Sequence, residues 1–292
     1  MHKVAILIGG GLGDCIWGYF NDDFNKKLLS VKKHYDLHVT CYVHSLNSQA
    51  IELVRYNPNI NEIIFEKYMQ PVDRKVVGLN YIFDLSIFED LPMPIYLTEE
   101  EIDFCQKIKN SGEYIVLHPF AGEKDRKFTE YVPEIVKTLS DHKIIIIGGD
   151  HIRRESEHIS ESIDFDYKNV TNLVNKVSVR VCCELVKNCK FFIGSHSCFL
   201  SATWVFGTPA LCIVPDHFMS YLLPDKNSLT KPQYPNIDKI FKQKSGLMFF
   251  SQIPYLKRFM EHFLLDSDFT ALRGNDKIRR SFVTISNSRK KE

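Results

Sequence analysis

Three turns in this chain are rich in small residues, two of them with charge, and each directly follows a run of apolar residues. The first runs from Gly9 to Asp14 (GGGLGD), behind the apolar stretch Lys3 to Gly9. Glycines at such a place let backbone amides come close to a ligand, and a helix that begins there points its positive end at it. Dinucleotide binding is the obvious chemistry, and the spacing argues against it. A G-x-G-x-x-G pattern begun at Gly9 ends on Asp14, and begun at Gly11 it ends on Ile16, so a nicotinamide or flavin fingerprint is disfavoured. What remains is a turn opened by Gly11 and Gly13 with Asp14 at the head of a helix. That carboxylate is either a cap for the first amides or a general base aimed at a substrate hydroxyl.

The second turn is His118 to Phe128 (HPFAGEKDRKF). Ala121 and Gly122 followed by Lys124, Arg126 and Lys127 suit a phosphate, with backbone donors in the turn and cations behind them. A solvated basic loop is the alternative. The third is Gly194 to Pro209 (GSHSCFLSATWVFGTP), where the amides of His196, Ser197 and Cys198 could form another anion-binding helix start. A metal held by His196 with Cys182, Cys183, Cys189 and Cys198 would need ligand intervals that these residues lack, so no metal is assigned.

The elements that must position these turns alternate between strand-length apolar runs and helical patterns, the signature of parallel strands joined by crossover helices. In the first part the pattern predicts a strand at 3–9, a helix at 14–33, a strand at 37–43, a helix near 47–56, and short strands at IIF and YIFDLS. It breaks around 90–112, where a proline-rich LPMPIYL precedes TEEE, and Thr98 and Glu101 stand at capping-box spacing. A second series follows: strand 113–119, helix 129–140, strand 143–149, helix 152–162, a strand near 169–174, helix 178–188, strand 190–194, helix 198–206 and strand 209–215. That makes a five-stranded doubly wound unit. Residues 216–250 read mostly as loop, and 253–265 as a terminal helix. The division expected is a Rossmann-like unit at 1–95, a second at 96–265, and a basic, unstructured tail at 266–292.

At 292 residues, with 44% hydrophobic and 25% charged residues, the chain has the composition of an ordinary soluble globular protein, which excludes disorder, collagen and a coiled coil as the main architecture. The formal net charge of +1 gives no electrostatic reason to seek nucleic acid. The charge is uneven, however: residues 273–292 hold seven basic against two acidic side chains. Such a tail is either solvated or drawn to an anionic membrane surface. The eight cysteines fall mostly inside apolar runs and read as reduced core thiols, and the N-terminus lacks a signal peptide's pattern, so a cytoplasmic location is expected. The uncharged run from Phe191 to Pro215 reaches membrane-spanning length, but its glycines, serines and Pro209 punctuate it as strand, turn, helix and strand.

Taken together, GLGD at 11–14, HPFAGEKDRKF at 118–128, IIIIGGD at 144–150 and the block at 172–209 resemble glycosyltransferase family 9, the ADP-heptose:lipopolysaccharide heptosyltransferase-like enzymes of GT-B fold. The resemblance implies two Rossmann-like domains facing across a cleft, with a nucleotide-sugar donor held mainly by the C-terminal one and the acceptor by the N-terminal one. It makes Asp14 the base that takes the acceptor proton, and Arg126 or Lys127 the cation on the diphosphate. Val177 becomes a contact of the nucleotide base. Where the family has Asp-Ser-Gly this chain has His196, Ser197 and Cys198, and the later family His falls on Ser201. The implied sugar or nucleotide therefore differs from ADP-heptose.

The reaction so implied is an inverting, metal-independent transfer from a nucleoside-diphosphate sugar to the hydroxyl of a glycan, lipid-linked or other acceptor. The nucleotide sugar is a substrate, and no cofactor is called for. The alternatives are a GT-B-like protein that binds a nucleotide or sugar without transferring it, and a nucleotide-sugar epimerase of the same fold.

Overall fold

The computed structural model describes residues 2–21, 31–32, 35–45, 47–67, 94–122, 124–149, 167–218, 245–257 and 260. The expected strand YIFDLS, the helix at 152–162 and the basic tail lie outside the described residues.

Two parallel sheets carry the fold. In the front lobe β1 (His2–Gly10), β2 (Leu37–Ser45) and β3 (Glu62–Glu66) lie side by side in that order. In β2 alternate residues Leu37, Val39, Cys41 and Val43 are buried, so the period-two pattern turns one face to the core. Helix α1 (Leu12–Asn21) leaves β1 through the glycine turn. The helix expected near 47–56 is a shorter 3-10 turn, Ser48–Leu53, whose cap is the Asn47 side chain accepting from the Gln49 amide. Asn57 folds the chain back after it, accepting from the Asn59 amide and donating to the Tyr19 hydroxyl.

In the rear lobe the strands are β4 (Ile115–His118), β5 (Ile144–Ile146), β6 (Val170–Asn172), β7 (Phe191–Ser195), β8 (Ala210–Val214) and β9 (Ser245–Phe249). They pair in parallel in the order β6-β5-β4-β7-β8-β9. The sheet therefore has six strands among the described residues, one more than the pattern predicts. The added strand is β9, within the stretch expected to be loop. Its SGLMF carries no strand-length alternation, and only pairing with the apolar β8 makes it a strand.

The helices are α2 (Glu99–Asn110), α3 (Val132–Thr138), α4 (Val179–Asn188) and α5 (Cys198–Phe206). Helix α2 starts with the predicted capping box: the Thr98 side chain accepts from the Glu101 amide, and Glu101 accepts from the Thr98 amide. The expected terminal helix begins earlier and differently, as a 3-10 turn at Phe250–Tyr255 that contains Pro254, a residue unable to donate inside an α-helix. The uncharged run resolves into β7, α5 and β8, and no described helix is long and apolar enough to cross a membrane.

Buried residues of the rear sheet alternate between two cores. Ile115, Leu117, Ile144, Ile146, Phe191, Ile193, Leu211 and Ile213 face α3 and the 250–260 segment. Val116, Ile145, Phe192, Ala210 and Cys212 face the other way, onto α4 and α5. That second core is continuous with the front lobe, taking in Ile6, Ile16, Val39, Val43 and Leu53. Each large side chain fully buried in it contributes about 1.5–3 kcal/mol, so both lobes are stabilised by one apolar body.

Candidate active site

The chain leaves β4 toward β5 and β6, then returns to the other side of β4 for β7, β8 and β9. At such a switch the loops leaving the two neighbouring strands diverge and open a crevice at their carboxyl ends. Here those loops are 119–128 after β4 and 196–198 after β7. They are tied together at their roots: the Ser195 hydroxyl donates to the Phe120 carbonyl. The first loop is closed by the Phe128 amide donating to the Pro119 carbonyl at 3.1 Å, with the Phe128 ring fully buried as its anchor.

Along this loop Ala121 is buried, Gly122 is exposed, and Arg126 and Lys127 are half-buried. Burial first, and the Arg126 charge second, push the His196 imidazole down to about 4, so His196 is neutral at neutral pH. Ser197 takes the cap position of α5 in extended backbone, but its hydroxyl makes no cap hydrogen bond. The head of α5 is thus left without the side-chain acceptor that helices usually supply there. The Cys198 thiol is pushed up to about 11, chiefly by burial, and stands as a neutral group beside it.

His118 lies beneath both loops at the end of β4. Its ring meets Phe199 edge-on at 4.9 Å and Phe120 at 6.1 Å. Burial holds the imidazole at about 3, well below its ordinary value, and its Nδ1 has no hydrogen-bond partner among the described residues. Gly148, at φ +114°, passes so close that a methyl group there would fall 2.6 Å from His118 Cδ2. Both the left-handed backbone and the contact demand glycine. The Gly148 carbonyl accepts from the Asn175 amide at 2.9 Å, which brings the 172–178 segment, with half-buried Val177, to the same end of the sheet.

The front lobe meets this crevice through the GLGD turn. Gly10, not Gly11 or Gly13, adopts the left-handed conformation, at φ +102°. Asp14 is exposed, and its Oδ2 accepts from the Gly11 amide at 2.9 Å, so the capping role is realised. Gly13 serves a different need. A methyl there would lie 3.1 Å from Cys198 Cα and 3.2 Å from Ser201 Oγ, so α1 and α5 cross with backbone against backbone. Trp17 stacks edge-on against Trp204 at 6.2 Å, and Phe20 against Phe206 at 5.3 Å, along the same crossing. Gly13→Leu is therefore expected to wedge the lobes apart and to cost about 1–3 kcal/mol by overpacking, read as a lower urea midpoint. A midpoint equal to the wild type would show that the helices do not cross at Gly13.

The structure thus sets Gly13 against Cys198 and Ser201, and ties the loop of Ala121, Gly122 and Arg126 to that of His196 and Ser197 at its root, through Ser195 and Phe120. Sequence reasoning missed Arg180. It is 3% exposed, on the first turn of α4. Its guanidinium donates to the Glu52 carbonyl at 2.8 Å and carboxylate at 2.6 Å, and to both Glu101 oxygens at 3.2 and 2.7 Å. It also lies 4.4 Å over the Tyr56 ring. Burial pulls the Glu101 carboxyl up, but hydrogen bonds from Ser178, Arg180 and the Thr98 amide, with the Arg180 charge, hold it below its ordinary value. The available signal was a lone arginine in the otherwise apolar VRVCC.

All eight cysteines are free thiols, and among the described residues no three His, Cys, Asp or Glu side chains are grouped as metal ligands would be.

Comparison with protein-family models and with curated proteins gave no match. Comparison with solved structures did. ADP-heptose lps heptosyltransferase II of E. coli superposes with a TM-score of 0.51 at 12% identity, over 92% of this chain and 100% of the other. A glycosyl transferase family 9 structure from Veillonella parvula superposes with a TM-score of 0.52 at 12% identity, over 89% of each chain. The chain has the GT-B fold. At this identity the likeness is one of architecture. Gly13, the chain neighbour of Asp14, is the front-lobe residue that touches α5.

Proposed function

We propose that this protein is a glycosyltransferase that moves a sugar from a nucleoside-diphosphate sugar to an acceptor hydroxyl. The observation that carries the proposal is the uncapped head of α5, tied through Ser195 to the loop that carries Gly122 and Arg126 and packed against Gly13, the neighbour of the front-lobe carboxylate Asp14. The fold shared with heptosyltransferase II supports it. We assign residues 96–265 to the donor and 1–95 to the acceptor.

In this reading the diphosphate rests on the turn at 121–122 and the head of α5 at 196–198, with Arg126, and Lys127 behind it, facing its charge. Displacement at the anomeric carbon breaks the bond to the diphosphate, and charge grows on the departing oxygen. Donors already aimed at that position stabilise the charge without reorganising, and they supply the role that a divalent cation would otherwise fill. Asp14 takes the proton from the incoming hydroxyl, so attack comes from the face opposite the leaving group and the anomeric centre inverts. Val177 borders the nucleotide base. His196, Cys198 and Ser201, neutral where the family carries an acid and a histidine, shape the pocket for a different donor.

A screen of ADP, GDP, UDP and their sugars by thermal shift tests the donor site. A nucleotide at 100 times its dissociation constant is expected to stabilise the protein by about 2.7 kcal/mol. Arg126→Met should abolish that shift. Absence of a shift with every nucleotide would remove the donor site. The engagement of Asp14 Oδ2 with the Gly11 amide favours a second reading, a protein that binds such a donor without transferring it. Sugar release from the donor that binds, to water or to an acceptor, separates the two.

A further inference from the structure

We propose that Arg180 is a positioning residue: a buried strut that ties the 172–178 segment of the rear lobe to the front lobe and so sets Asp14 against the donor loops. This rests on the transferase reading. Ser178 caps α4, accepting from the Val181 amide, and its hydroxyl donates to Glu101 at 2.6 Å. Arg180, two residues on, holds Glu101 with one edge and Glu52 with the other. Four hydrogen bonds leave the guanidinium in one orientation, and a planar fork of this kind cannot be replaced by a point charge.

From Glu52 the connection runs on through packed groups. Glu52 belongs to the 3-10 turn Ser48–Leu53, whose Ala50 and Leu53 are buried with α1 in the shared core. Asn57 just beyond donates to the hydroxyl of Tyr19 at 2.7 Å, and Tyr19 lies on α1 with Asp14. A segment placed beside the nucleotide base is thus joined to the helix that carries the proposed base, by side chains of which none reaches the donor loops. Contiguous networks of this kind carry coupling when both ends bias the same element. Here that element is the α1–α5 crossing.

The chain has two tryptophans, Trp17 and Trp204, and both lie on that crossing. Tryptophan emission excited at the red edge of absorption, where the tyrosines contribute little, therefore reports on that crossing. The experiment compares the wild type with Glu52→Gln and Arg180→Lys, with and without ADP, GDP and UDP. In the wild type a nucleotide that binds is expected to change the tryptophan signal. In Glu52→Gln, a substitution at a half-buried residue that keeps the carbonyl contact, affinity for that nucleotide should stay within about threefold while the change in signal is lost. Transfer at saturating donor should fall by about 10- to 100-fold, the cost of misplacing a reacting group by an ångström or less. Arg180→Lys should do the same with a larger loss. Glu52→Gln with wild-type turnover, or with nucleotide affinity falling in step with turnover, overturns the strut while the wild-type response stands. A wild type that responds to none of the three nucleotides overturns the donor site itself, and the strut with it.

Discussion

Asp14→Asn is expected to lower sugar transfer by about 10²- to 10⁴-fold while nucleotide binding stays as in the wild type. The two roles of Asp14 make this substitution informative. Its Oδ2 accepts from the Gly11 amide, and the carboxamide oxygen of Asn can accept the same bond, so the turn and the head of α1 are retained. What Asn cannot do is take a proton from an attacking hydroxyl. Asp14→Ala removes both functions, and should add a loss of about 1 kcal/mol in stability to the loss of transfer. Stability from urea unfolding and turnover with the donor that binds resolve the two effects. Undiminished turnover in Asp14→Asn would leave Asp14 as a cap and nothing more.

The second large effect is alkaline unfolding. Six thiols are buried: Cys15, Cys41, Cys182, Cys183, Cys189 and Cys212. Burial is the leading cause of the upward shift in each, to about 11 for Cys15, about 12 for Cys41 and Cys189, and higher for the other three. The folded pKa lies above the unfolded one, so between the two the unfolded chain binds fewer protons than the native one. Stability is then fully present below the unfolded pKa and is lost as pH rises toward the folded values. Between pH 8 and pH 10 each thiol should cost about 1.5 kcal/mol, and the six together on the order of 9 kcal/mol. That is comparable to the ~5–15 kcal/mol that holds a domain folded. Tyr19, raised by burial, adds in the same direction at higher pH. Urea unfolding in the presence of a reductant at pH 8, 9 and 10 checks this. Stability that is flat across the range would mean that these cysteines are solvated in the native protein.

Elements with a strong local signal appear in the structure where the sequence places them. The capping box at Thr98 and Glu101 and helix α5 at 198–206 need only neighbours a few residues away to form. Elements that depend on distant partners do not read so easily. The 3-10 turn after β2 stops early because Asn57 reaches Tyr19, 38 residues before it, and β9 exists because β8 offers an unpaired edge. At the site, the three turns were legible because small residues after a strand announce close backbone approach. Of the two cations at 126 and 127, Arg126 is the one whose charge reaches His196, a matter of loop closure that no spacing contains. Gly13 shows the same limit, since its purpose is the backbone of Cys198, 185 positions away in the chain.

Periodicity, turn chemistry and apolar runs are properties of consecutive residues, and they sufficed for two parallel α/β units, reduced core cysteines, and glycine-rich turns at the strand ends. Which turns face one another is a property of contacts between residues far apart. Tertiary structure alone placed the switch point between β4 and β7, carried the core of the rear lobe into the front one, and buried Arg180 between Glu52 and Glu101. A lone arginine between two valines is indistinguishable in sequence from a solvated one. It becomes a strut only when two carboxylates, 79 and 128 residues away, are brought to its guanidinium and water is excluded.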